Sequence, residues 1–386
     1  MSRSPLNDMP AATRRLLARC ALLLGLAAIG AAVAFGLTRI GFGEGTGGKP
    51  GTALAQDLSY FRIGAGAPGT PVSDLAGLVS GAISNPPGSR SCEEGGSCGI
   101  PGMIGLAQTS TGSVDNLALL RDGAIESAVA QADIAYLAFA GKDAFKKPGA
   151  AKDFRAIAGL GRINVKIILP AESKIADIAG LKGKKVNLGL ENSDNMLTAR
   201  QVLAHYGLTT KSYKGRYDDV ATAGEALKAG KIDAMIVVDA PDSRDVTALA
   251  EAMPIRLLPI VGEVADKIVK STPYYSAGAI SPERFKGVGQ TQTLELVAVW
   301  LVSRSLDDET AYELTRAVWA MTSRRLQDQA LASGRPLDLD LALAGVSVPF
   351  HPGALRYYDE KGVTRFLPAA LRPDKDGNVG ESAPTN

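Results

Sequence analysis

Apolar and polar positions along the chain fall into blocks that read repeatedly as strand, turn and helix. SYFRI at 59–63 is a short run of strand type. A turn rich in Gly and Pro follows at 64–74. The next block, LAGLVSGAIS, places Leu75, Leu78, Val79 and Ile83 on one face of a helix. Residues 85–136 are the stretch around which the rest is organised. Their first half, with NPPG and two cysteines, is too rich in Gly, Ser and Pro for a core element and reads as a long loop. Their second half reads as turn, helix, strand, helix. Ser113 is the expected cap of VDNLALL, and SAVAQ at 127–131 is the expected buried strand ending in a polar residue, as at a pocket edge.

The same period resumes further on. FRAIAGL (154–160) and NVKIILP (164–170) read as two strands, residues 173–181 as a short helix and KKVNLGL as a strand. Ser193 or Asp194 caps a helix that carries Met196, Ala199, Leu203 and Tyr206 on one face and closes at Gly207. DVATAGEALKAG is another helix, and KIDAMIVVDAP a buried strand ending at Asp239. IRLLPIV, PYYSAGAI and LELVAVWLVSRSL are further strands. DDETAYELTRAVWAMTSRRLQDQ is a helix begun by acids and ended by bases, favourable at both ends of its dipole. Alternating strands and helices predict an α/β chain with two doubly wound parts.

Composition changes this picture little. The 386 residues carry a net charge of +2, so nothing in the charge balance points to nucleic acid. Two histidines and three cysteines leave little material for a metal site, and no cofactor is expected. The amino terminus matters more. Arg3, Arg14, Arg15 and Arg19 precede an apolar run at 20–37, as in an export signal. The run is about 18 residues long, enough to cross a bilayer, and Ala53-Leu54-Ala55 offers a cleavage site further on. A cleaved signal and a retained anchor both stay open; either places the chain outside the cytoplasm. There Cys92 and Cys98 are expected to form a disulfide. Gly64, Gly66 and Gly69 fit a dinucleotide fingerprint, but Pro68 interrupts it and no acidic residue stands where a ribose would need one. Gly95-Gly96-Ser97-Cys98-Gly99 fits an esterase pattern without a strand feeding it, and only His205 and His351 are available as bases. The chain is therefore not expected to be an enzyme.

YFRIGAGAPGTP, GAISNPPGS, CGIPGMIGLAQTSTGSVDN, ESAVAQADIAYLAFAG, LKGKKVNLG, KIDAMIVVDAP and VPFHPGALRYYDEKG together resemble the TAXI family, the extracytoplasmic solute receptors associated with TRAP transporters. The resemblance spans about residues 59–363. It implies a type II periplasmic-binding-protein fold of two α/β lobes joined by two hinge strands, near residues 163–170 and 294–303. The chain would then divide into a leader or anchor with linker (1–56), a first lobe (57–166 with 298–386) and a second lobe (167–297). The resemblance also implies a small ligand held between the lobes, an organic or amino acid, and delivery to a TRAP-type permease. Gly66, Thr70, Ser110, Ser113 and Gln131 are the expected ligand contacts from the first lobe. Asn192, Ser193, Asn195 and Asp239 are those from the second, with Tyr275 flanking. Helix amino termini at these turns suit an anion such as a carboxylate. The family's Gly-Ser-Gly-Thr type turn reads Leu190-Glu191-Asn192-Ser193-Asp194-Asn195 here, without the glycines and with two acids. Either the ligand differs from the family's, or the acids face away and only cap. A second reading keeps the fold and makes the chain a membrane-tethered ligand sensor.

Overall fold

A computed structural model describes residues 58–320, 323 and 339–373. The apolar run at 20–37, the cleavage motif and the carboxy-terminal tail lie outside the described residues. Among the described residues no helix is long and apolar enough to cross a membrane.

The first group of elements is β1 (Ser59–Gly66), α1 (Pro71–Ile83), the short strands β2 (Ser84–Asn85) and β3 (Ile100–Pro101), β4 (Met103–Thr109), α2 (Ser113–Arg121), β5 (Ser127–Gln131) and α3 (Ala132–Ala140). The second is β6 (Phe154–Pro170), β7 (Lys185–Asn187), α4 (Asp194–His205), β8 (Lys214–Arg216), α5 (Val220–Lys228), β9 (Ala234–Asp239), α6 (Arg244–Ala252), β10 (Ile255–Leu258), α7 (Glu263–Ser271) and β11 (Ser276–Ile280). β12 (Thr291–Ser303), α8 (Asp308–Trp319) and α9 (Pro352–Glu360) return the chain to the first group, where α8 packs on α1 and α9 on β6.

One sheet runs β4-β1-β5-β12-β6-β9-β7-β8, with β10 on β6 and β11 on β12. β4, β1 and β5 are parallel and form the sheet of the first lobe. β9, β7 and β8 are parallel and form that of the second. β12 and β6 lie antiparallel between them and belong to both, as two hinge strands do. The register shows what this arrangement produces. Gln131, the last residue of β5, stands opposite Ala298, itself opposite Gly161. Asp239, the last residue of β9, stands opposite Asn164, itself opposite Glu295. The parallel strands of the two lobes run in opposite directions, and their carboxyl ends converge on the middle of the hinge pair.

Burial follows this plan. The main core gathers Phe61, Ile63, Val129, Phe154, Ile157, Trp300 and Phe350 around the sheet. A smaller cluster of Ile168, Met235, Val237, Leu227 and Val246 lies under α5 and α6. Tyr358 ties α9 to the sheet: its hydroxyl accepts from Trp319 Nε1 at 2.9 Å and donates to the Ile157 carbonyl at 3.0 Å.

Four elements differ from the sequence reading. Residues 103–109, expected within a loop, form β4 and pair with β1 along its length. The glycine that hides this strand is what lets it pack: a Cβ at Gly105 would lie 2.6 Å from the Ser80 carbonyl oxygen of α1. FRAIAGL and NVKIILP are one strand, β6, because β12 pairs with it across Gly161, Arg162 and Ile163 between them. The short helix expected at 173–181 shrinks to a 3-10 turn at Ile178–Leu181. α1 begins at Pro71, earlier than its apolar run, because Thr70 accepts from the Ser73 N–H and proline suits the first helical position.

The expected disulfide between Cys92 and Cys98 is present. It closes a small loop that is also held by Ser97 Oγ donating to the Ser84 carbonyl at 2.5 Å. A loop this short constrains the unfolded chain modestly. The Cys92→Ser/Cys98→Ser double variant is expected to lose no more than about 2 kcal/mol of stability, with amide exchange rising only near residues 90–99. Exchange rising throughout β1 and β4 would show that the loop organises the lobe instead.

Candidate functional site

The converging strand ends assemble the polar groups of both lobes. At the end of β1, Gly66 adopts φ +78°, and a Cβ there would lie 3.5 Å from Gly112 Cα. The Gly66 carbonyl accepts from the Ser110 N–H at 3.1 Å, so the turns after β1 and β4 are locked together. Thr70 caps α1, and its hydroxyl donates to the Ala67 carbonyl at 2.7 Å. Ser110 Oγ donates to Asn116 Oδ1 at 2.6 Å and accepts from the Gly112 N–H. These three expected contacts shape the turns from within.

Ser113 does not cap α2. The capping position is Gly112, and Ser113 is the first helical residue, fully buried. Its N–H donates to both carboxylate oxygens of Asp194, at 2.8 and 3.0 Å, and its Oγ donates to Asp194 Oδ2 at 2.6 Å. The same Oγ accepts from the Gln131 N–H at 2.9 Å. Asp194 belongs to α4 of the second lobe, so a carboxylate from one lobe sits on the helix amino terminus of the other. The two alternatives weighed for this acid, repelling an anion or merely capping, give way to a third, since Ser193 performs the capping by accepting from the Met196 N–H at 3.2 Å.

A second bridge stands beside the first. Thr198 of α4 places its hydroxyl 3.0 Å from Gln131 Oε1 and 2.5 Å from Asp133 Oδ2. Tyr275 OH lies 3.4 Å from the same Asp133 oxygen, and Asp133 Oδ1 accepts from the Ile134 N–H. A threonine hydroxyl has one proton and here faces two acceptors. Both contacts are satisfied when Asp133 carries a proton and donates to Thr198. Burial pushes the Asp133 carboxyl up to about 6, against the hydrogen bonds it accepts, and the charge of Asp194 adds to that rise. Burial likewise pushes Asp194 up to about 6, opposed by its bonds from Ser113.

The second lobe's other residues have different roles. Asn195 uses its whole amide on the backbone: Nδ2 donates to the Leu188 and Ile236 carbonyls at 2.6 and 2.9 Å, and Oδ1 accepts from the Val238 N–H at 2.6 Å. It joins β7 to β9 and leaves nothing to offer a ligand. Asn192 is exposed with φ +61° in the turn before α4. Asp239 accepts from its following N–H, and burial raises its carboxyl while Lys166 opposes the rise. Lys166, wholly buried, donates to the Asp239 and Ala240 carbonyls at 2.9 and 2.7 Å; burial lowers its ammonium to about 8. Tyr275 stacks edge-on against Tyr274, which meets Tyr136 at 5.3 Å. Beyond these rings a groove of about 550 Å³ opens between α3 and α4, lined among others by Tyr136, Tyr274, Lys142, Arg200, Gln201 and His205.

Ser113, Gln131 and Tyr275 are thus brought into one network, whereas Gly66, Thr70, Ser110, Asn192, Ser193, Asn195 and Asp239 hold the turns and strand ends around it. Asp133, Thr198 and Lys166 were missed. Asp133 had a signal, being the one acid in the apolar run ADIAYLAFA. Thr198 had none, and Lys166 was hidden in a run, VKIILP, in which every other residue is apolar. Two of the residues weighed for a hydrolase are engaged elsewhere: His351 caps α9 through Nδ1 and contacts the Leu306 carbonyl through Nε2, and Ser97 holds its own loop.

Comparison with solved structures gives distant likenesses. The periplasmic aliphatic sulphonate binding protein SsuA from Escherichia coli is 15% identical, with 81% of this chain and 96% of that one covered and a TM-score of 0.42. The alkanesulfonate-binding protein SsuA from Xanthomonas axonopodis pv. citri, bound to MOPS, is 18% identical over 81% and 96%, with a TM-score of 0.40. A Listeria monocytogenes protein described as an L-cystine ABC transporter is 14% identical over 74% and 98%, with a TM-score of 0.43. Likeness at this level carries no ligand or partner across. The NMT1-like family model, by contrast, matches residues 101–362, well over half of the sequence, including both hinge strands and the ends of β4, β5 and β9, and the chain belongs to the NMT1-like family.

Proposed function

We propose that the chain is an extracytoplasmic solute receptor that closes two lobes around a small ligand bearing a carboxylate, an organic or amino acid. The lobes are residues 57–166 with 298–386, and residues 167–297. The observation that carries this reading is the meeting of the strand carboxyl ends at the hinge, where α2 already holds a carboxylate on its amino terminus. Ligands of open α/β sheets bind outside the carboxyl ends of the strands, and an N-terminal turn of free N–H groups suits an anion. The ligand's carboxylate would take the position at Ser113, with Gln131 and Thr198 reading the groups beside it. Closure follows the usual population shift of a hinged receptor. The resemblance to the TAXI receptors supports a TRAP-type permease as partner, and the charged and apolar segment before residue 38 supports export.

A thermal-shift screen of dicarboxylates, amino acids, keto acids, sugars and polyamines tests the reading, since a bound ligand raises the melting temperature by mass action. Gln131→Ala is then expected to weaken binding of the hit about tenfold, a loss of about 1.4 kcal/mol. Affinity unchanged in this variant, measured by calorimetry, would remove Gln131 and the strand end from the site.

A further inference from the structure

We infer that Asp194 is a tethered competitor of the ligand's carboxylate and sets which acids the receptor accepts. The inference rests on the receptor reading above and deepens it. Three features of the contact support it. First, the donors are those of an anion site: the Ser113 N–H, at the first turn of a nine-residue helix, and the Ser113 hydroxyl, all within 3.0 Å of the carboxylate. Second, the approach is shaped for this group. A Cβ on Gly112 would lie 2.8 Å from Asp194 Oδ1, and Gly112 stands at φ +146°, so the preceding residue leaves the space the carboxylate fills. Third, Asp194 has no need to be there for its own helix, because Ser193 caps α4. It comes from the other lobe, 81 residues along the chain.

The charged groups around this contact do not favour an acid. The charge of Asp194 acts on Asp133, which contacts Thr198 and Tyr275, and among the described residues the carboxylate of Asp194 is held by the neutral donors of Ser113 alone. An incoming carboxylate can therefore replace it without breaking an ion pair. It must, however, outcompete a group held at an effective concentration in the millimolar range or above. A monocarboxylate with no other groups, such as acetate or formate, only trades one carboxylate for another and gains nothing. A larger acid that also engages Gln131 and Thr198 gains contacts that Asp194 does not make. The wild-type chain thus closes on itself when empty and discriminates against the smallest acids.

The test compares the full-length wild type with Asp194→Ala, in sodium acetate and in sodium chloride at equal ionic strength and pH 7.5. Thermal shift and small-angle scattering are the two readouts. The wild type is expected to show the same melting temperature and radius of gyration in both salts. The variant is expected to be more open in chloride and to regain the wild-type radius in acetate at millimolar concentration. A variant as compact as the wild type without acetate, or an acetate response equal in the two proteins, overturns the inference. Should Asp194→Ala fail to fold, Asp194→Ser, which keeps a polar residue at the helix start but is too short to carry the contact, is held to the same criterion of opening in chloride. The two levels separate cleanly. A wild type that binds an acid from the screen, with Asp194 variants of equal affinity, leaves the receptor and removes the competitor. Acetate rescue of the variant with no wild-type ligand of any class keeps the competitor's contact but overturns the inference that it competes with a ligand.

Discussion

Asn195→Ala is expected to destabilise the folded chain by about 3 kcal/mol, in urea unfolding at neutral pH. The side chain satisfies the Leu188 and Ile236 carbonyls and the Val238 N–H, all on buried residues. Alanine leaves three buried backbone groups without a partner, each costing about 1 kcal/mol or more. Repacking cannot repair the loss, because the void lies between β7 and β9 where a Cβ on Gly189 would already touch Asn195 Nδ2 at 2.7 Å. A loss below about 1 kcal/mol would mean that water enters and replaces the amide. The effect is also expected to reach the site, since the same amide fixes the start of α4 and hence where Asp194 and Thr198 point.

Acidification from pH 7 to pH 5 is expected to strengthen the contact between the lobes. Asp133 and Asp194 each ionise near 6 in the folded chain, against 3.8 for the free carboxyl. Both pKa values are raised, so the folded state holds the protons more tightly than the unfolded one. The resulting stabilisation is complete below about 3.8 and lost as the pH rises through 6. Between pH 7 and pH 5 each group should add about 1 kcal/mol. The charge of Asp194 acts on Asp133, so the two titrate as a pair and the sum, about 2 kcal/mol, belongs to both. Urea unfolding of the wild type and of Asp133→Asn/Asp194→Asn at pH 5, 6 and 7 isolates these groups from the other carboxylates. Parallel stability curves for the two proteins would show that neither carboxyl titrates in this window. A receptor that meets its ligand in a mildly acidic medium would, by the same sign, be more firmly closed when empty than at neutral pH.

The sequence made the lobes' central strands legible and the hinge only half so. SAVAQ and KIDAMIVVDAP are buried apolar runs bounded by polar residues, and they are β5 and β9. β6 looked like two strands because Gly161 and Arg162 interrupt its apolar runs, and Asn164 and Lys166 are polar residues within the second. Each has a partner that only the folded chain supplies. Arg162 and Asn164 donate to the two oxygens of Glu295 on β12 at 2.7 and 2.8 Å, and Lys166 donates to carbonyls at the end of β9. Glu295 in turn needs Gly278 on the neighbouring strand β11, where a Cβ would meet its Cγ at 2.1 Å. In the site, the stretch around Ser113 and Gln131 could be singled out because a polar turn, a helix start and a strand end adjoin in sequence. The destination of Asp194 could not. Its local pattern is that of a helix start, and the pairing with Ser113 depends on how two lobes meet.

The hinge strands decide what kind of motion such a receptor can have. β6 and β12 are hydrogen-bonded to each other from Asn164 and Glu295 to Phe154 and Ser303, so the lobes share a plate, not a pin. A plate flexes about one axis and resists torsion and sliding. Register breaks between Ala298 and Val299 and between Trp300 and Leu301 interrupt the pairing, and such irregularities bend and twist a strand locally. If the lobes move as those of a hinged receptor do, the soft coordinate is bending of this plate at the register breaks. The distance from Asp74 on α1 to Arg244 on α6, 3.6 Å apart across the rim, is one gauge of that coordinate. A partner at the membrane would need to sense only that one gap to know whether the receptor is shut.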